Sequence, residues 1–232
     1  MRAACSTLVL AVIAVGVASP RCAIAQTIPS PYRFIEERQE VGLFAGYLSA
    51  GTGRFGYGPS GGTLFGARYG VELSGPLALE AAVGVLRGTR SVINPARLEG
   101  DRVVGEADVR LTMIDGRLRL GATGNRSWHG INPFLLIGGG VAFDTAEQAA
   151  AEALLLDADE IYEFGTKFFA TIGPGVRWFA TSRFALRTDA VFSLWQLKTP
   201  AGFGDPTLGL GDVAESEWVS GLSATATFLF RW

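Results

Sequence analysis

The chain has 232 residues, with 20 Lys and Arg against 22 Asp and Glu, a net charge of −2. Lys167 and Lys198 are the only lysines, and no basic face emerges, which excludes a nucleic-acid partner. Apolar residues make up 48% of the chain, yet after residue 25 no run approaches the ~18 consecutive apolar residues of a membrane helix. Apolar content without apolar runs requires alternation.

The chain opens on a leader pattern. Arg2 supplies a positive start, and Leu8 to Val17 is an apolar stretch too short to span a bilayer. Ala23-Ile24-Ala25 then forms a small-x-small cleavage site, so residues 1–25 read as a signal peptide and Gln26 as the mature N-terminus. Cys5 and Cys22 both fall inside the leader, and Pro20-Arg21 before Cys22 lack the small residues that a lipoprotein site needs. An exported chain without disulfides must gain stability elsewhere, and closing a barrel is one way.

Residues 26–39 read as a periplasmic lead-in. Ser30-Pro31 has the form of a helix N-cap followed by Pro at the first helical position, which predicts a short helical turn over Tyr32 to Gln39. From residue 40 to 232 the period becomes two. Val41 to Ala50 and Phe134 to Asp144 are strands blurred by glycine. Phe65, Ala67, Tyr69, Val71 and Leu73 share one face, with Arg68 and Glu72 on the other. Leu77, Leu79, Ala81, Val83 and Val85 oppose Glu80, and Ala107, Val109, Leu111 and Met113 oppose Glu106, Asp108 and Arg110. Phe168, Ala170, Ile172, Val176 and Trp178 oppose Lys167 and Arg177, and Phe184, Leu186, Ala190, Phe192 and Leu194 oppose Arg187 and Asp189. The last strand sets Leu222, Ala224, Ala226, Phe228, Phe230 and Trp232 against Ser223, Thr225, Thr227 and Arg231. A soluble sandwich would turn the apolar faces inward, whereas a membrane barrel turns them to lipid.

Loop lengths decide between the two. Ser74-Gly75-Pro76 and Thr181-Ser182 are tight turns and 125–132 is moderate, while 50–62, 88–102, 145–160 and 198–218 are long. Short turns on one side and long loops on the other is the asymmetry of an outer-membrane barrel. The 145–160 link has helix-forming composition. Asp115-Gly116 is a hairpin signal, and the outward parity shifts across it, from Leu111 and Met113 to Leu118 and Leu120. A hairpin there gives nine strands and puts the chain ends on opposite sides, so a β-bulge within one strand, about 103–122, is the preferred reading.

The terminal Trp232, preceded at alternate positions by Phe230 and Phe228, resembles the C-terminal recognition strand of bacterial outer-membrane β-barrel proteins. With Pro133-Phe134, Gly138-Gly139-Gly140 and Gly173-Pro174-Gly175, the region 40–232 resembles the small OmpA-like or OmpX-like barrels. The resemblance implies an all-β, eight-stranded antiparallel up-and-down transmembrane barrel with a short periplasmic N-terminal segment. It also implies that the barrel-assembly machinery reads Phe228, Phe230 and Trp232. Outer-membrane lipid and lipopolysaccharide are the expected surroundings, and no ligand is named by it.

An eight-stranded lumen is just wide enough to be filled by side chains. The inward set predicted from parity is Arg68, Arg110, Lys167, Arg177, Arg187 and Arg231 with Glu72, Glu80, Glu106, Asp108 and Asp189. Mixed signs at such cost of burial predict a paired network that plugs the lumen. The alternatives are a narrow channel, or a conduit for small hydrophobic molecules, for which this charged set is unsuited. An outer-membrane lipid-modifying enzyme is a weaker reading: His129 is the only histidine, close to Ser127 but with no acid partner, and Trp128-His129 reads as an interfacial anchor. No catalytic, cofactor or metal residues are assigned, since a zinc site needs more than one histidine when thiolates are absent. Gly51 to Gly62 follows no phosphate-binding pattern and reads as a mobile outer loop, with Phe55, Tyr57 and Phe203 as candidates for a ligand-contacting crown. Cleavage before Gln26 is the first testable expectation: the intact mass of the exported protein should begin at Gln26, and a retained leader or an acylated Cys22 counts against it.

Overall fold

The computed structural model describes residues 30–146, 152 and 161–232. Strands β1 (Tyr32–Phe34), β2 (Gln39–Ala50), β3 (Pro59–Ser74), β4 (Leu77–Ile93), β5 (Val103–Gly121), β6 (Arg126–Trp128), β7 (Ile131–Asp144), β8 (Thr166–Phe179), β9 (Phe184–Lys198) and β10 (Ser216–Arg231) follow in order. Every long strand pairs antiparallel with its neighbours, and β10 pairs with β2 while β7 pairs with β8, so β2–β5 and β7–β10 close an eight-stranded barrel. Closure satisfies the backbone groups that a bilayer cannot solvate, leaving no edge in lipid.

The alternating pattern sets the outer belt. Leu43, Phe65, Tyr69, Leu79, Val83, Leu118, Leu135, Ile137, Ile172, Phe192, Leu222 and Phe228 are all exposed. At one rim Trp232 stacks on Phe230 at 5.8 Å, and Phe184 packs against Phe228 and Phe230 at 5.6 and 5.5 Å. This is an aromatic girdle at the short-turn end of the barrel. The two ends of the chain's barrel seal there by backbone, because Gln39 and Trp232 exchange N–H···O bonds of 3.1 Å in both directions.

Three local expectations change. Residues 32–34 are a strand rather than the start of a helix: Tyr32 pairs with Trp128 and Phe34 with Arg126. The reason is the free edge of β6, which the segment after Pro31 satisfies; the residue before a proline is itself biased toward extended backbone. Residues 35–38 then lead from β6, beside β7, to β2, which lies opposite β7 in the strand order. The lead-in therefore crosses the barrel mouth, and Glu37 accepts a 2.8 Å bond at its carbonyl from Arg231. The second change concerns β6 and β7, which are joined by His129-Gly130, with φ of 49° and 79°. Positive φ at both central residues marks the primed hairpin turn that matches strand twist.

The third change is in β5, which runs without hairpin or bulge through Asp115-Gly116: its pairing with β4 is regular from Leu77–Leu120 to Val92–Gly105, and with β7 from Leu111 to Gly121. Parity never shifts. Ala107, Val109 and Leu111 are buried inside, as are Asp115 and Arg119, while Glu106, Asp108 and Arg110 face outward with Ile114, Leu118 and Leu120. What changes along the strand is the solvent. The β5 residues before Leu111 extend past the end of β7 and lie on the long-loop side, where water bathes the outer face and the apolar side turns in. The helix expected within 145–160 falls, apart from residues 145, 146 and 152, outside those described.

Deleting Phe230 to Trp232 removes the girdle and the Gln39–Trp232 seal together. The truncated protein, refolded in detergent, should lose the heat-dependent gel mobility shift of a closed barrel, whereas Ala substitutions at exposed positions of 50–62 should retain it. An unchanged shift in the truncation counts against this closure.

Candidate functional site: the two layers of the lumen

Side chains inside the barrel form two layers. The lower one, toward the short turns, is charged. Arg68 grips Asp189 with 2.8 and 3.1 Å bonds to both carboxylate oxygens and lies 3.8 Å from Glu80. Arg187 pairs with Glu80 and donates from Nε to Asp189 at 3.2 Å. Arg119 bonds Glu40, bonds Glu72 at 2.7 Å, and lies 3.5 Å from Glu80. Arg177 donates to Glu40 at 2.9 Å and to Glu72 at 2.7 Å, and its remaining nitrogens reach Asn132 Oδ1 at 2.9 and 3.3 Å. Arg68, Arg119, Arg177 and Arg187 thus meet Glu40, Glu72, Glu80 and Asp189, four cations for four anions. At the rim Arg231 adds an ion pair with Glu37 at 3.5 Å; midway along β5, Asp115 pairs with Arg117 at 2.5 Å.

Every barrel strand contributes: Glu40 from β2, Arg68 and Glu72 from β3, Glu80 from β4, Arg119 from β5, Asn132 from β7, Arg177 from β8, Arg187 and Asp189 from β9, and Thr225 from β10, whose hydroxyl donates to Asp189 at 2.8 Å. Arginine suits the task, since its planar fork satisfies two carboxylates at once. Phenylalanine rings face the guanidiniums: Arg68 lies 4.6 Å from the Phe44 ring, Arg187 4.6 Å from Phe134, and Arg231 4.6 Å from Phe179.

Above Phe44 and Phe134 the lumen turns apolar. Leu48, Leu64, Leu86, Val109, Leu111, Ala142, Phe169, Trp195, Leu197 and Val219 project inward from all eight strands into one buried cluster. The outer loops complete it. Tyr57 and Phe203, each 1% exposed, are folded into the mouth rather than displayed as a crown. Tyr57 packs on Tyr162 at 4.9 Å and Phe203 at 5.6 Å, and its hydroxyl donates to Glu217 at 3.0 Å. Burial, with the Glu217 carboxylate beside it, pushes the Tyr57 phenol up to about 12. Loop 51–58 is pinned rather than free, because the Arg54 amide donates to both Glu217 oxygens at 3.0 and 2.8 Å and its guanidinium reaches the Asp212 carbonyl at 2.9 Å. Gly53, at φ 81°, permits that approach, since a Cβ there would meet the Glu217 carboxylate.

The structure therefore brings Arg68, Glu72, Glu80, Arg177, Arg187, Asp189 and Arg231 together. It takes Glu106, Asp108 and Arg110 out of the set, because they point to solvent from the outer part of β5. Lys167 faces inward but stands at the top of β8, half-buried and away from the network. Glu40, Arg119 and Asn132 are additions. Glu40 sits one residue before the strand read from sequence, and Arg119 lies between the outward Leu118 and Leu120, a parity signal that the assumed bulge obscured.

His129 packs edge-on against Trp128 at 4.7 Å on an exposed turn, and its backbone N–H donates to the Pro31 carbonyl at 3.0 Å. Among the described residues no group of three or more His, Cys, Asp or Glu is arranged to hold a metal ion.

No family model matches the sequence, and no curated protein matches it either. Solved structures do. The outer membrane protein OprG from Pseudomonas aeruginosa is 10% identical, with a TM-score of 0.56, over 88% of this chain and 99% of that one. Neisserial surface protein A is 12% identical, with a TM-score of 0.49, over 84% and 97%. At such identity the likeness to OprG speaks of fold alone, and the fold is that of the small outer-membrane barrels. Closed ladder, apolar belt and aromatic rim place this chain in the outer membrane.

Arg187 is 1% exposed between two carboxylates. Arg187→Ala leaves Glu80 and Asp189 short of a partner and should destabilise the barrel by roughly 3–5 kcal/mol. The check is the urea midpoint for unfolding in lipid vesicles; a midpoint equal to that of the unsubstituted protein removes the case for an obligatory network.

Proposed function

We propose that this protein is a non-catalytic outer-membrane barrel with a plugged lumen, serving a structural or surface-interaction role. The observation that carries the reading is the charge layer to which all eight strands contribute, with Arg119, Arg177 and Arg187 each at most 2% exposed. A conducting pore keeps its charged groups hydrated, whereas these guanidiniums spend their donors on carboxylates and on Asn132. The strap at residues 35–38 and the apolar cluster under the outer loops lie in series with that layer.

The mature chain begins at Gln26 in this reading, with lipid and lipopolysaccharide as its surroundings and the barrel-assembly machinery as its partner during insertion through Phe228, Phe230 and Trp232. A conduit for small hydrophobic molecules has one point in its favour, the apolar upper lumen. The balanced ion layer below blocks the same path, so transit along the axis is disfavoured.

Planar-bilayer recording of the refolded protein tests the reading. The expected record shows no discrete conductance steps at moderate voltage, and Arg119→Ser should stay closed because the apolar layer remains. Regular steps from the unsubstituted protein overturn the plugged lumen.

A further inference from the structure

The barrel wall is not equally sealed along its height. The β8–β9 ladder stops at Phe169–Trp195. Beyond it, Thr166 to Phe168 continue to pair with β7, while Gln196 to Lys198 continue to pair with β10. The two hairpins therefore part at the outer end, and a cleft of about 840 Å3 opens between residues 161–165 and the 198–215 loop. That volume lies in the range of small-molecule pockets.

Its lining is amphipathic. Ile161, Phe164, Pro200, Ala201 and Val213 supply apolar wall, and Lys167 and Lys198, the only lysines of the chain, stand on the two parted strands. Among the described residues neither lysine makes a hydrogen bond or ion pair, although Glu163 and Glu215 lie on the exposed rim of the same cleft. Below the cleft, and sharing Phe164 and Lys167 with it, is a small apolar cavity of about 30 Å3 lined by Leu48, Leu111, Met113, Phe169 and Trp195. Two buried polar groups at this level have no partner: Tyr162 Oη, in the cleft wall, and Trp195 Nε1, in the cavity wall. Tyr162 is 4% and Trp195 7% exposed.

We propose that this lateral cleft binds a single-chain anionic amphiphile, a long-chain carboxylate, with its head group between Lys167 and Lys198 and its chain running past Phe164 so that its end meets Trp195 at the cavity below. The paired lysines select the charge, and the volume admits one acyl chain rather than a lipid of several. The site lies above the charge layer, so it requires no open lumen and stands apart from the plugged-barrel reading.

Brominated chains quench tryptophan on contact, which makes Trp195 the reporter. The protein refolded in phosphatidylcholine vesicles is titrated with 11-bromoundecanoate, and Trp195→Phe identifies the part of the signal that comes from the cavity. A saturable Trp195 component is expected, weakened at least about tenfold in Lys167→Met/Lys198→Met, since each lost contact is a charge-assisted hydrogen bond. Lys167→Arg/Lys198→Arg should retain it, and 11-bromoundecanol should bind no better than to the Met variant. Lys198→Glu, at an exposed position, repeats the test by charge reversal if the double variant fails to close. An absent saturable component, equal binding of the alcohol, or affinity unchanged by Lys198→Glu overturns the proposal.

Discussion

Glu40 is the group on which the lower lumen depends. It stands on β2 opposite Arg231 of β10, the register that closes the barrel, and its carboxylate reaches across to Arg119 on β5 and Arg177 on β8. Chain closure and lumen filling are therefore one event: until β2 meets β10, Arg119 and Arg177 lack a partner that burial demands. An unpaired guanidinium in this space is costly, whereas a matched set is tolerable. Charge balance thus acts as a selector of register, since a slip of one residue turns Glu40 to lipid and Val41 into the network.

Polarity inverts along the barrel axis. In the membrane-embedded part the outside is apolar and the inside charged; around Val109 and Leu111 the inside is apolar and Glu106, Asp108 and Arg110 face out. A barrel wall has two faces and each answers to its own solvent. Where lipid ends, the outer face can carry charge, and the inner face is then free to form an ordinary hydrophobic core capped by Tyr57, Tyr162 and Phe203.

This inversion explains what could and could not be read from the sequence. Stretches within the belt, such as residues 184–192 of β9 with Leu186 and Phe192 out and Arg187 and Asp189 in, were legible because one rule, apolar faces lipid, holds along their length. In β5 that rule fails partway, and an unbroken strand mimics a bulge. Residues 32–34 were misjudged for a different reason: their conformation is set by the unpaired edge of β6, more than ninety residues away in the chain, and local capping signals carry no trace of it. Most of the ion network was legible. Parity identified Arg68, Glu72, Glu80, Arg177, Arg187, Asp189 and Arg231, but the bridging of Glu40 to β5 and β8 is a property of closure that no single strand displays.

The division between arginine and lysine follows from the same physics. A buried cation between carboxylates needs several directed donors on a rigid plane, and each cation of the charge layer is Arg. Lysine is a hydrated point charge on a flexible stem, poorly suited to that layer and well suited to a site that water reaches. Both lysines occur where β8 and β9 part, at the end of the barrel where the ladder no longer needs charge pairs to hold its register. Balance inside the wall leaves the network nothing with which to attract a ligand; the seam above it holds two lysines that make no ion pair among the described residues, beside an apolar wall. Recognition and stability are in this way assigned to different cations at different heights, and a substitution at the seam leaves the closing register untouched.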